Sequence, residues 1–226
     1  MFQGFSEKTG EFLWELALNN ERPWFQAHKE EFETVLNRPL KALGEQMLIQ
    51  MRQQYPAEDF QLHVSRIYRD ARRLFGRGPY KEHMWFSIQS GDTHSHGPQF
   101  WFEISCSTYA YGMGFWDATP QHADAFRKTI DANPARFTQL VADIAAYKPF
   151  TLWGNEYKRP KGDRGDLLNP WYNRKYISVG YETTLGGAAF DPALPQQMLE
   201  DFAALTPMYY FLREVYLAVQ ENEDER

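Results

Sequence analysis

Between Arg66 and Lys81 the chain carries six cationic side chains and a single carboxylate, in a protein whose formal net charge is -6. Arginine presents a planar fork that suits bidentate recognition of phosphate or carboxylate, and lysine adds a compact point charge. Arg66, Arg69, Arg72, Arg77 and Lys81 are therefore candidate contacts for an anionic group, with Tyr80 as a wall of the same site. Gly76, Gly78 and Pro79 mark a turn inside the segment. If residues 66–72 are extended, Arg66 and Arg72 share one face while Arg69 points to the other with Arg73. If the strand ends near Tyr68 instead, Arg69, Arg72 and Arg77 could converge. Asp70 either orients an arginine or is a carboxylate kept ionised by its neighbours, and it is the candidate for acid–base work. The competing reading is structural, with Arg–Asp pairs that hold a loop or form a surface salt-bridge network.

A second positive segment follows about ninety residues later, Tyr157-Lys158-Arg159-Pro160-Lys161-Gly162-Asp163-Arg164, and then Asn173-Arg174-Lys175. Lys158, Arg159, Lys161 and Lys175 could close over an anion from a flexible lid, which places the expected pocket between segments 66–81 and 157–175. The alternative is a hydrophilic loop crossing the surface. Other chemistry is thinly represented. His83, His94 and His96 lie close in sequence, but no H-E-x-x-H or C-x-x-C spacing accompanies them, so no metal site is expected and no cofactor is indicated. G-x-S-x-G, G-x-G-x-x-G and phosphate-loop motifs are absent. Cys106 reads as a buried, inert thiol in a strand, Gly112 and Gly114 as a bend or bulge, and Trp116 and Trp171 as pocket walls.

Helices must lead into this region. Ser6 suits an N-cap before Phe12, Leu13 and Leu16, Pro23 opens a second helix, and Pro39 opens a third with Leu40, Leu43, Met47 and Met51. Residues 1–55 thus form a helical lead. Alternation at Leu62, Val64, Trp85–Ile88 and Phe100–Phe115 makes 56–118 a run of strands. Helical spacing returns over 119–146, a basic loop and a strand over Tyr176–Glu182 occupy 147–192, and a helix fills 193–220 with an irregularity at Pro207. The acidic residues 221–226 read as a frayed tail. The pattern predicts one α+β domain over 1–226, an antiparallel sheet flanked by N-terminal, middle and C-terminal helices.

Composition sets outer limits. A hydrophobic fraction of 43% and an aromatic fraction of 16% supply a core, which excludes global disorder. The negative balance makes a dedicated nucleic-acid binder unlike this chain. No apolar run is long enough to span a bilayer, and the first residues lack the charge and hydrophobic pattern of a secretion signal. With a single cysteine, no intramolecular disulfide can form, and a cytoplasmic protein is expected. The oligomeric state stays open.

Four blocks of this sequence resemble the domain of unknown function 2461 family of bacterial and fungal proteins. Asn19-Asn20-Glu21-Arg22-Pro23-Trp24-Phe25 is similar to its N-N-x-x-x-W-F block. Arg66-x-x-Arg69-Asp70-x-Arg72 through Pro79-Tyr80-Lys81 is similar to its R-x-x-R-D-x-R-F-x-x-D-K-x-P-Y-K signature. Gly112-Met113-Gly114-Phe115 through Arg127 resembles its glycine-rich strand and following helix, and Lys158–Gly162 its basic loop. Arg73 stands where the signature has Phe, and Gly76-Arg77 where it has Asp-Lys, so a carboxylate is missing at 76. The resemblance implies an α+β domain and carries no activity, cofactor or substrate with it.

Three functions fit these residues. The first is binding of a small phosphate- or carboxylate-bearing ligand by the arginine-rich segment. The second is a hydrolase or transferase acting on a phosphorylated metabolite through Asp70. The third is a scaffold whose basic segment makes structural salt bridges or docks an acidic partner.

Overall fold

The computed structural model describes residues 1–70, 72, 74, 76–91 and 97–224, the last three by their backbone. The fold is α+β. Six strands, β1 (Phe60–Val64), β2 (His83–Ser90), β3 (Gln99–Ser105), β4 (Thr108–Gly114), β5 (Thr151–Trp153) and β6 (Ser178–Thr184), form one antiparallel sheet in the order β1-β2-β3-β4-β6-β5. Helices precede, interrupt and follow the strands, as the sequence pattern predicts. Among the described residues no helix is long and apolar enough to cross a membrane. The chain forms two compact units, one of Met1–Thr93, Trp101–Tyr111 and Glu182–Leu199, the other of His94–Phe100, Gly112–Tyr181 and Glu200–Arg226.

The first unit begins with α1 (Glu7–Leu18), where Thr9 Oγ1 accepts the Ser6 N–H at 3.2 Å and donates to the Val35 carbonyl at 2.7 Å. Helices α2 (Arg22–Ala27) and α3 (Lys29–Phe32) pass through a π-helical turn at Glu33–Asn37 into α4 (Arg38–Gln54). Phe12, Leu16, Phe25, Phe32, Leu36, Leu40, Leu43 and Met47 are all buried, so three- and four-residue spacing does turn one face inward. Helix α4 packs on the β1–β2 hairpin, whose register pairs Leu62 with Ile88 and Val64 with Phe86. A Cβ at Gly44 would stand 3.0 Å from a Leu62 methyl and 3.4 Å from the Phe86 ring, so the missing side chain lets helix and hairpin approach closely.

In the second unit α5 (Pro120–Ala132) and α6 (Pro134–Tyr147) share an aromatic core with α8 (Leu194–Asp224), in which Phe126, Phe137 and Phe211 lie 4.9–5.8 Å apart ring to ring. Gly112 and Gly114 both lie within β4. A Cβ at Gly112 would stand 2.2 Å from the Val179 carbonyl oxygen, so that glycine serves close backbone approach. Helix α8 continues to Asp224 with Pro207 inside it, taking in most of the stretch expected as a frayed tail. Cys106 is half-buried in the β3–β4 turn, outside the strand where it was expected.

Candidate functional site

Ladder bonding between β1 and β2 continues past the ends of both strands. The Ser65 N–H donates to the Trp85 carbonyl, the Lys81 N–H to Ile67 and the Arg69 N–H to Pro79, each at 2.8 Å. The basic segment is therefore a long hairpin end, closed by an antiparallel bridge between Tyr68 and Tyr80. In that bridge neither residue bonds the other through its backbone. The N–H and C=O of Tyr80 face Asn20 instead, whose side-chain amide accepts the one at 2.9 Å and donates to the other at 3.0 Å. One amide thus stands in for a missing strand. Gly78 is part of the arrangement, because a Cβ there would lie 2.2 Å from Asn20 Oδ1 and 2.3 Å from the Asn20 carbonyl oxygen.

This frame locks Arg69. Its Nε donates to the Tyr80 carbonyl at 2.6 Å and Nη2 to Glu82 Oε1 at 2.9 Å, leaving the side chain only 12% exposed. Tyr80 is buried and stacks on Phe25 at 4.2 Å, with Tyr68 at 5.3 Å. Burial pushes the Tyr80 phenol above its ordinary value, with Tyr68 adding to the shift and Arg22 opposing it. Arg22, Gln26, Tyr68, Arg69, Leu74, Pro79 and Tyr80 bound a concavity of about 330 Å³. Two of these are arginines and none is an acid.

The other cations of the segment are placed differently. Arg72 binds Asp70 two residues before it, through Nε at 3.0 Å and 3.2 Å and Nη2 at 2.8 Å, and stands 87% exposed. Asp70 also accepts the Arg72 backbone N–H at 3.0 Å, so this carboxylate organises its own turn. The hydrogen bond that Arg72 donates to Asp70, and then the carboxylate's charge, raise the Arg72 pKa further. Arg66 and Arg77 are exposed. Lys81 donates from Nζ to the Arg66 carbonyl at 2.7 Å and lies 5.8 Å from the Trp85 ring centroid. Burial, then the charges of Arg69 and Arg66, lower its pKa. Arg73, His94 and His96 fall outside the described residues.

The second basic segment belongs to the second unit and is tied down along its length. Arg164 grips Asp131 of α5 through Nε at 2.7 Å and Nη2 at 3.0 Å, while the Tyr172 hydroxyl donates to the same carboxylate at 2.9 Å. Hydrogen bonding from Arg164 holds the Asp131 carboxyl below the usual carboxylate range; burial opposes this and Tyr172 assists. Asn173 Oδ1 accepts the Lys161 N–H at 2.6 Å, and Tyr157 N–H donates to the Asn173 carbonyl at 3.0 Å. Lys158, Arg159, Lys161 and Lys175 are exposed side chains on this braced excursion. Trp171, on the short helix α7 (Asn169–Tyr172), is buried against Phe137 at 6.0 Å, whereas Trp116 is exposed beside Tyr176 at 5.7 Å.

Sequence reasoning did not single out Arg22, Gln26 or Tyr68 as lining residues. Arg22 and Gln26 stand four apart on α2; Arg22 lies within the Asn19–Phe25 block, whose likeness to the family was the available signal, and Gln26 directly follows it.

Fold and site together define an α+β protein with an arginine-lined concavity at the end of a β-hairpin. The chain belongs to the family described as conserved hypothetical protein (DUF2461), whose model matches residues 8–211. No curated protein matches it.

Proposed function

We propose that the protein binds a small molecule carrying a phosphate or carboxylate group at the Arg22–Arg69 concavity. The observation that supports this best is a pocket wall with two guanidinium groups and no carboxylate among the described residues. Arg69 is already held by Tyr80 and Glu82, so little side-chain entropy remains to be lost when an anion docks. Exposed Arg22 supplies a second, adjustable charge one helical turn from Gln26. Tyr68, Leu74 and Pro79 offer an apolar surface, which suits a ligand with a planar or aliphatic body behind its anionic end. The lone cysteine favours a reducing, cytoplasmic setting for this binding.

Calorimetric titration of the full chain with phenyl phosphate and with benzoate tests the reading. Saturable binding of either, weakened about tenfold or more in Arg22→Ala, is the expected result, because a charge-assisted bond is lost. Arg22 is exposed, so the variant keeps its fold. Equal binding by wild type and Arg22→Ala overturns the proposal.

A further inference from the structure

Arg127, on α5, is the other arginine with an unusual environment. Its side chain is 8% exposed, and one guanidinium nitrogen donates to Asp124 one turn earlier. Nη1 is buried and has no hydrogen-bond partner among the described residues. A buried donor left bare costs about 1–3 kcal/mol, and folded proteins rarely keep one without a bound water or ion to satisfy it.

Around the same group, positive charge gathers on a single tyrosine. The Arg127 Cζ lies 5.2 Å from the Tyr157 ring centroid, Lys161 Nζ 4.7 Å and Lys175 Nζ 5.9 Å. Attraction to the ring face accounts for part of this clustering, since each cation gains from the ring quadrupole. It does not remove the cations' mutual repulsion. Three cations here meet one directly paired carboxylate, Asp124. Asp131 acts on Arg127 through its charge but is bonded by Arg164 and Tyr172, and Glu156 pairs with Arg174 at 3.3 Å. The backbone that presents the lysines is fixed, Lys161 by Asn173 and Lys175 by the Asn155 carbonyl at 2.8 Å. Neither ammonium has a hydrogen-bond acceptor among the described residues.

We infer that Arg127, Tyr157, Lys161 and Lys175 form a second anion site, fitted to a compact dianion such as a phosphate monoester. A dianion offsets that repulsion with its charge, accepts from the bare Arg127 nitrogen and gives both lysines an acceptor. A monoanion brings half that charge to the same three cations. This site involves none of the residues that line the Arg22–Arg69 concavity, and its fate is independent of that reading.

The test follows the Arg127 side-chain Nε–H signal by NMR in the full chain, at constant ionic strength, during titration with methyl phosphate and, separately, dimethyl phosphate. Expected are a saturable shift with methyl phosphate, at least about tenfold weaker binding of the singly charged diester, and a comparable loss in Lys161→Gln/Lys175→Gln. Both lysines are exposed, so that variant tests the site without removing a core side chain. Arg22→Ala should leave the titration unchanged. An unmoved signal, or one displaced equally by both esters, overturns the inference and leaves a single ordered water as the occupant beside Nη1. Binding abolished by Arg22→Ala but not by the lysine variant also overturns it, by assigning the anion to the other concavity.

Discussion

Replacing Asn20 with alanine tests how the hairpin end is held. The side chain makes two bonds to the Tyr80 backbone, at 2.9 Å and 3.0 Å, and among the described residues no other is bonded to the Tyr80 N–H. The Tyr80 carbonyl keeps its bond from Arg69 Nε at 2.6 Å, so its loss is partial. The N–H is different, because it is left facing a part-buried space. An unsatisfied donor costs about 1–3 kcal/mol and a lost neutral bond about 0.5–1.5 kcal/mol. The sum is about 3 kcal/mol, which in a chain of this length corresponds to a fall in Tm of roughly 6–12 °C. Urea unfolding gives the free energy directly, and calorimetry the Tm. Gly78→Ala should have an effect of similar size, since its methyl would meet both the Asn20 amide and the Asn20 backbone carbonyl. The two changes should not add, because each displaces the same contact. A Tm for Asn20→Ala within about 1 °C of wild type refutes the argument, as the amide would then be replaceable by water.

Three further outcomes follow from particular groups. Asp131 has its pKa lowered on folding, so its contribution to stability is present above the ordinary aspartate value of about 3.9 and is lost as pH falls through the folded value. Asp131→Asn should therefore be less stable than wild type at neutral pH, by under about 1 kcal/mol for this half-exposed pair, and the gap should close below about pH 4; a gap that widens on acidification contradicts the assignment. In the second unit Asp201 is nearly buried, accepting from Lys148 Nζ at 2.6 Å and the Tyr147 hydroxyl at 3.0 Å, and Lys148 also lies 3.9 Å from the Tyr181 ring centroid. Asp201→Ala should cost about 3–5 kcal/mol in denaturant unfolding, and a loss below about 1 kcal/mol would show that the pair is not holding α6 to α8. Lys81, with its pKa lowered by burial and two arginines, should acylate with a midpoint below the ordinary lysine value of about 10.4 when the pH of labelling is varied; a midpoint at or above that value rules out the cause given.

The helical lead was readable from Phe12 to Met51 because burial of one helix face repeats every three or four residues in the sequence itself. The strands were readable for a similar reason, with boundaries that shifted where neighbours, not alternation, set the ends. Tyr176 to Glu182 looked like a strand, and pairing places β6 at Ser178–Thr184. At Gly112 the residue type alone suggests a bend or bulge, and only the structure shows how closely the Val179 backbone approaches it.

Charge composition alone located the segment Arg66–Lys81, and the turn residues within it announced that it folds back. The roles of its arginines came only with tertiary structure. Arg69 and Arg72 are the same residue type three positions apart, yet one is locked between Tyr80 and Glu82 and the other is exposed on Asp70. Asn20 and Tyr80 are sixty residues apart, and Arg127 and Tyr157 thirty apart. Local periodicity records which face of an element is buried, because that depends on neighbours along the chain. Which donor meets which acceptor depends on chain closure over long separations, and that is settled only when the hairpin and helices pack.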